Sequence, residues 1–249
     1  MKLDEDAALF LDIDGTLVEL APTPDAARVP DDLPGLLRDL DRSFCGALAL
    51  VSGRSLASID ALFAPAKPVA AGSHGMERRT AGGAVERPCP PPWLDRALVA
   101  AEAFVGNRTG MLIERKDFGV GIHFRGAPEM LAPTRDFVLA LKEDFGPTAA
   151  VQEGKMVFEL RESGMNKGDA IAWFLDRPPF RGRRPVFAGD DHTDEYGFRA
   201  VSERGGIAIW IGSEPHRLAE YRFATPAEFR QWLREQVASM RNQKAFGSL

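Results

Sequence analysis

A doubly wound, Rossmann-like α/β core carrying an inserted α+β domain is the fold predicted for this 249-residue chain. Three observations predict it. Short apolar runs alternate with helix-patterned segments at both ends of the chain, which implies right-handed βαβ crossovers and a mostly parallel sheet. Between those ends the rhythm changes to a helix followed by a pair of strands, given twice, as in a layer of helices on an antiparallel sheet. Glycine-containing stretches, "TAGGA" and "ESGMN", mark the two transitions and have the freedom of hinges. The core is therefore expected over residues 1–81 and 164–249, with the insert over 82–163.

In chain order, the first strand is read in "AALFLDI" and the first helix in "DDLPGLLRDL". A strand at "GALALVS", a helix after "GRS" and a strand near "KPVAAGS" follow. The insert reads as a helix "LDRALVAAEAF", two strands within "GMLIERKDFGVGIHF", a helix "PEMLAPTRDFVLALKEDF" and two strands within "AAVQEGKMVFELR". The core resumes with the helix "NKGDAIAWFL", the strand "RPVFAGD", the helix "TDEYGFRAV" and the strand "GGIAIWI". A closing helix fits "PAEFRQWLREQV", and the tail "NQKAFGSL" is expected to fray.

Composition narrows the function. With 45% hydrophobic and 27% charged residues the chain is an ordinary globular one. A net charge of −5 and a pI near 5.5 supply no broad positive field, which argues against nucleic acid or an acidic membrane as partner. Cys45 and Cys89 match no metal or catalytic-cysteine pattern and read as reduced thiols. The N-terminus is acidic where a secretory signal is basic, and no segment reaches the roughly 20 apolar residues of a membrane span, so a cytoplasmic protein is expected.

The apolar run "LFLDIDGTL" ends on Asp12 and Asp14, two carboxylates that a structural strand has no use for. In an open parallel sheet, ligands sit at the carboxyl ends of the strands, which is where this pair falls. Read as a strand, it shows both on one face, followed by Gly15 and Thr16 with backbone N–H groups able to cradle phosphate oxygens. A second acidic cluster, "GDDHTDE", follows "RPVFA" and belongs at the same edge. Its Asp190, Asp191 and Asp194 offer, with Asp12, hard oxygen ligands of the kind that select magnesium. Ser52, Gly53 and Arg54 leave the second strand at this crevice, and Lys167 opens a helix, where a cation gains nothing from the dipole. Taken singly, Ser52 fits an ordinary helix cap, Lys167 a surface lysine, and "GDDHTDE" a solvated turn and helix start. Together they make a specific set.

In order and spacing the set resembles the haloacid dehalogenase superfamily of phosphatases, with an insert placed and patterned as in its type IIB caps. The resemblance implies a magnesium (Mg2+) cofactor held by Asp12, the backbone carbonyl of Asp14, and Asp190. It also implies Asp12 as the nucleophile, Asp14 as general acid and base, and Ser52 and Lys167 at the phosphoryl group. Gly53, Arg54, Asp191 and Asp194 would support the site. "GSHGME", "ERKDFGVGIHFR", "EGKMVFELR" and "YRFATPAEFRQWL" further resemble trehalose-6-phosphate phosphatases.

That resemblance suggests sugar contacts from His74, Gly75, Lys116, His123 and Arg125. Glu153, Lys155 and Glu159 suit sugar hydroxyls by their charge, and strand alternation is expected to set 153, 155, 157 and 159 on one face. His123 also fits a hydrogen-bonded packing residue, His74 a loop-orienting one, and Arg54 a salt-bridge partner. Trp210, Arg78 and Arg79 depart from the family pattern. Another sugar phosphate, such as sucrose 6-phosphate or a glycosyl-glycerol type, and a non-catalytic sugar-phosphate sensor are the alternatives. A monomer is expected, with a trehalose-phosphate synthase as the associated protein.

Overall fold

The structure is a computed structural model that describes residues 1–21, 26–154 and 156–246. The chain divides into two compact units, residues 1–87 with 166–249, and residues 88–165. The first unit opens with β1 (Ala7–Leu11), α1 (Leu33–Ser43), β2 (Leu48–Val51), α2 (Leu56–Leu62), β3 (Ala70–Gly72), β4 (Glu77–Arg79) and β5 (Val85–Glu86). The second contains α3 (Leu94–Val105), β6 (Leu112–Lys116), β7 (Gly119–His123), α4 (Leu131–Phe145), β8 (Ala149–Gly154) and β9 (Val157–Glu162). The first then resumes with α5 (Lys167–Leu175), β10 (Arg184–Gly189), α6 (Glu195–Ser202), β11 (Ile207–Ile211), β12 (Tyr221–Phe223) and α7 (Pro226–Phe246).

The large sheet has the order β12-β11-β10-β1-β2-β3-β4-β5. It is parallel from β12 to β3, and β4 and β5 add an antiparallel edge. Every residue of β1 is buried, and alternation sorts its side chains to two cores. Leu9 and Leu11 pack with Leu33, Leu36 and Leu40 of α1 and Phe229 and Leu233 of α7. Ala8 and Phe10 face Ile171 and Phe174 of α5 and Phe198 of α6. A strand covered on both faces must be apolar throughout, which is why "AALFL" lacks the polar alternation of a half-exposed strand. Chain order runs from β1 outward through β2 to β3, and later from β10 outward to β12, so the switch point lies between β1 and β10. Crossovers leave in opposite directions there and open a crevice at the carboxyl ends.

The second unit is a four-stranded antiparallel sheet in the order β6-β7-β9-β8. Val120, Ile122, Phe158 and Leu160 bury one of its faces against Leu94, Ala97 and Leu98 of α3 and Val138 of α4. Val120 pairs with Leu160 and Ile122 with Phe158, so those four side chains share a face.

Three features differ from expectation. Residues from Gly82 do not open the second unit, because "TAGGA" turns the β4–β5 hairpin that extends the large sheet, and the division falls after Arg87. The short strands β4, β5 and β12 carry no apolar run long enough to announce them. Helix α7 continues through Phe246, beyond the start of the tail expected to fray.

Candidate active site

Asp12 and Asp14 lie beyond the end of β1, in the loop that follows it, and not on one strand face. The Asp12 N–H still donates to the Ala188 carbonyl, extending the β1–β10 ladder by one step. Ile13 then turns the chain: it is fully buried, and its carbonyl accepts the N–H groups of Thr16, Leu17 and Val18. Gly15 follows at φ +81, and a Cβ there would stand 2.0 Å from Asp190 Oδ2. Only glycine allows both that backbone and that approach.

Lys167 Nζ donates to Asp12 Oδ1 at 2.8 Å and to Asp194 Oδ1 at 2.6 Å, and all three side chains are almost completely buried. Asn166 caps α5 through the N–H groups of Gly168 and Asp169, which fixes the helix start from which Lys167 projects. Asp194 Oδ2 accepts the N–H groups of Asp190 and Asp191, each at 2.9 Å, so the "GDDHTDE" turn folds onto its own carboxylate. Gly189 makes room for it, since a Cβ there would meet Asp194 Cγ at 2.3 Å. Thr16, expected to offer its backbone N–H, contributes instead a buried hydroxyl that stands 3.3 Å from Asp190 Oδ1 and 3.5 Å from Asp12 Oδ2.

Three carboxylates around one ammonium leave this pocket with excess negative charge. Burial pushes Asp12 up to about 7, against the opposing pull of Lys167, with Asp194 and Asp14 adding repulsion. Burial and the Asp12 and Asp194 charges push Asp190 up to about 9. Burial alone would lower the Lys167 ammonium, but Asp12 and Asp194 outweigh it and raise it. The site thus has less positive charge than its carboxylates call for, and the groups it offers a cation are hard oxygens. Carboxylate oxygens of Asp12, Asp190 and Asp194 lie within 4.8 Å of one another. Both Asp194 oxygens already accept hydrogen bonds, which leaves Asp12 and Asp190 as the side chains fitted to a magnesium ion.

The remaining expected residues fall as follows. Arg54 holds Asp14 in a bidentate pair, Nε to Oδ2 at 2.6 Å and Nη2 to Oδ1 at 2.7 Å, so both Asp14 side-chain oxygens are engaged by one guanidinium. Ser52 is buried just past β2, one residue beyond the level of Asp12 in the β1–β2 register, and its Oγ accepts the Arg54 N–H. Gly53 lies against the His74 ring, 2.7 Å from where its Cβ would be, and Gly75 packs on the Asn166 carbonyl. Asp191 is exposed, gives its N–H to Asp194 Oδ2 and caps the Asp194 N–H in return, so it shapes the loop that carries Asp190 and Asp194.

On the second unit, Glu114, Lys116, His123 and Glu159 share the sheet face opposite the helices. Lys116 Nζ meets Glu159 Oε2 at 2.5 Å and His123 Nε2 meets Glu114 Oε2 at 2.9 Å, so His123 is a hydrogen-bonded group of a polar face. Burial works to lower the Lys116 ammonium, yet Glu159 and Glu114 raise it. Burial would raise Glu114, and its bond to His123 and the Lys116 charge instead lower it. Glu114 was missed although it alternates with Lys116 on one strand. Glu153 pairs with Phe158 in the register and so lies on the other face from Glu159. The chain reverses between Gly154 and Val157, which breaks the alternation assumed across "EGKMVFEL". Lys155 lies outside the described residues. Arg125 is exposed beyond β7.

The sequence profile of the trehalose-phosphatase family matches residues 10–225, most of the chain. The chain belongs to the trehalose-phosphatase family. A trehalose-6-phosphate phosphatase of Escherichia coli is 37% identical over 98% of this chain and 91% of its own length. A Sinorhizobium fredii protein named a probable trehalose-phosphate phosphatase is 46% identical over 82% of this chain and 77% of its own. Among solved structures, a trehalose-6-phosphate phosphatase related protein matches with a TM-score of 0.77 at 28% identity, covering 94% of this chain and 99% of that one. The departures from the family pattern have structural roles. Trp210 stacks on His216 with centroids 4.6 Å apart, and Arg79 makes a bidentate pair with Asp60. Arg78 lies over the Trp173 ring. No helix among the described residues is long and apolar enough to cross a membrane.

Proposed function

We propose that the chain hydrolyses trehalose 6-phosphate to trehalose and phosphate through an aspartyl-phosphate on Asp12, with magnesium as cofactor. The observation that carries the reading is the buried Lys167 bridge between Asp12 and Asp194, beside Asp190. Lys167 keeps one Asp12 oxygen oriented and offsets the repulsion between a carboxylate nucleophile and a phosphate dianion. Asp12 and Asp190, with the Asp14 backbone carbonyl, would hold the magnesium ion, which supplies positive charge to the phosphoryl oxygens and to the Asp12 carboxylate. In the first step a bond forms from Asp12 to phosphorus as the bond to the sugar oxygen breaks, and Asp14 gives that oxygen its proton. In the second, Asp14 takes a proton from water as the water oxygen attacks phosphorus, and the bond from phosphorus to Asp12 breaks. Arg54 occupies both Asp14 oxygens in this structure and must release one of them for either transfer.

The Gly15 and Thr16 N–H groups, expected to cradle phosphate, instead donate to the Val18 and Ile13 carbonyls within the turn, so Ser52 and the Gly53 N–H are the groups suited to the phosphoryl oxygens. Choice of the sugar is assigned to the polar sheet face of the second unit, where Glu114, Lys116, His123 and Glu159 present charge-assisted partners for hydroxyl groups. A cytoplasmic monomer that associates with a trehalose-phosphate synthase fits this reading. Phosphate release measured over a panel of sugar phosphates tests the reading. Trehalose 6-phosphate is expected to give the highest kcat/KM, and a place among the poorest substrates would overturn the assignment.

A further inference from the structure

We infer that Glu77 is a positioning residue for the phosphoryl site, and this rests on the function proposed above. Glu77 begins β4, opposite Gly72 in the antiparallel pairing with β3, and only 1% of it is exposed. A carboxylate so deep needs partners, and its hydrogen-bond donors Leu56 and Ser73 belong to two loops at the carboxyl ends of β2 and β3. Its Oε2 accepts the Leu56 N–H at 2.9 Å and the Ser73 hydroxyl at 3.0 Å. Arg87 Nη2 stands 3.6 Å from Oε1.

Leu56 closes the loop that carries Ser52, Gly53 and Arg54, and Ser73 precedes His74. Two backbone bonds join the same loops, from Ser73 N–H to the Arg54 carbonyl at 2.7 Å and from His74 N–H to the Ser52 carbonyl at 3.0 Å. The second loop is under backbone strain, because Ser73 and His74 have φ of 49 and 56 and Gly75 follows at 104. Consecutive non-glycine residues in the left-handed region persist only where their surroundings over-determine them. Glu77 supplies that constraint through Ser73. The same oxygen fixes the loop from which Arg54 reaches Asp14, so one carboxylate outside the reacting groups sets Ser52, Arg54 and His74 together. The antiparallel β4, which a doubly wound sheet does not require, carries that carboxylate to both loops.

The test compares Glu77→Ala, Glu77→Gln and Ser73→Ala with the unaltered enzyme. Readouts are kcat and KM for p-nitrophenyl phosphate, orthovanadate affinity in excess magnesium, and the melting temperature. Glu77→Ala is expected to weaken vanadate binding and lower kcat/KM by about 10-fold or more. Glu77→Gln, whose amide oxygen can accept both bonds, restores most of each. Ser73→Ala is expected to weaken vanadate about 3-fold to 10-fold without a large change in melting temperature. Unchanged vanadate affinity in Glu77→Ala, whatever its melting temperature, overturns the inference. If that variant does not fold, unchanged affinity in Ser73→Ala overturns it instead. The aryl phosphate separates this inference from the substrate assignment, since failure on trehalose 6-phosphate alone leaves the Glu77 comparison intact.

Discussion

Lys167 shows how a side chain read as ordinary in isolation becomes specific once its partners are known. Its ammonium is buried and bonded to Asp12 and Asp194, an arrangement tolerable only because every charge in it is paired or hydrogen-bonded. The two aspartates of "DID" are divided by the same logic, one toward Lys167 and the other toward Arg54. Asp12→Asn keeps the shape of the side chain and removes the nucleophile. Turnover is expected to fall by about 10⁴-fold or more, with the melting temperature changed by only a few degrees. Phosphate release and a thermal melt check both, and residual activity near the original level would remove Asp12 from that role. The residue types at this site were legible because carboxylates after a buried strand have few structural uses. The Thr16 hydroxyl was not, since a threonine after glycine reads as a turn until that hydroxyl is seen between Asp12 and Asp190.

At the scale of elements, the turn after β1 is the critical piece. Ile13, the spacer between the two aspartates, is its anchor, with a buried side chain and a carbonyl that takes three N–H groups. Gly15→Ala puts a Cβ against the Asp190 carboxylate and forces a non-glycine residue to φ +81. The backbone cost is about 1–2 kcal/mol, and a displaced Asp190 is expected to lower kcat/KM by about 10²-fold. Titration calorimetry with magnesium should show weaker binding in the same variant, and unchanged affinity would show that the turn yields without moving Asp190. Strands with apolar runs and helices with apolar stripes were readable, because burial on both sides leaves a pattern. The hairpin turn between Gly154 and Val157 was not readable from alternation alone, and it sends Glu153 and Glu159 to opposite faces. One residue of register decides which face a strand residue occupies.

For the whole molecule, the carboxylate cluster is expected to make stability depend on pH and on magnesium. Asp12 and Asp190 start from an ordinary carboxylate value of 3.8 and rise to about 7 and about 9 in the fold. Since the folded values are the higher ones, the folded state binds more protons. Their contribution is complete below about pH 4 and is lost as pH rises through 7 and then 9. In excess chelator the melting temperature is therefore expected to fall between pH 5 and pH 9. Magnesium favours the ionised carboxylates, so the stabilisation it gives is expected to grow over the same interval. Melts at fixed ionic strength with and without magnesium measure this, and a magnesium effect that shrinks with rising pH would contradict the assignment of Asp12 and Asp190 as its ligands.

The sequence by itself determined the doubly wound core, the presence of an inserted α+β unit and the identity of the groups at the strand ends. Those follow from local patterning, since apolar periodicity and the residue types in a short motif are properties of neighbours in the chain. Only the tertiary structure decided which carboxylate meets Lys167, which is held by Arg54, and that both oxygens of Asp194 are already taken. It also decided that β4 and β5 belong to the large sheet, and that Glu77 joins two loops. These outcomes depend on pairings between residues distant in sequence. No local pattern encodes them, because the bond that satisfies a buried polar group is chosen by whatever the fold brings beside it.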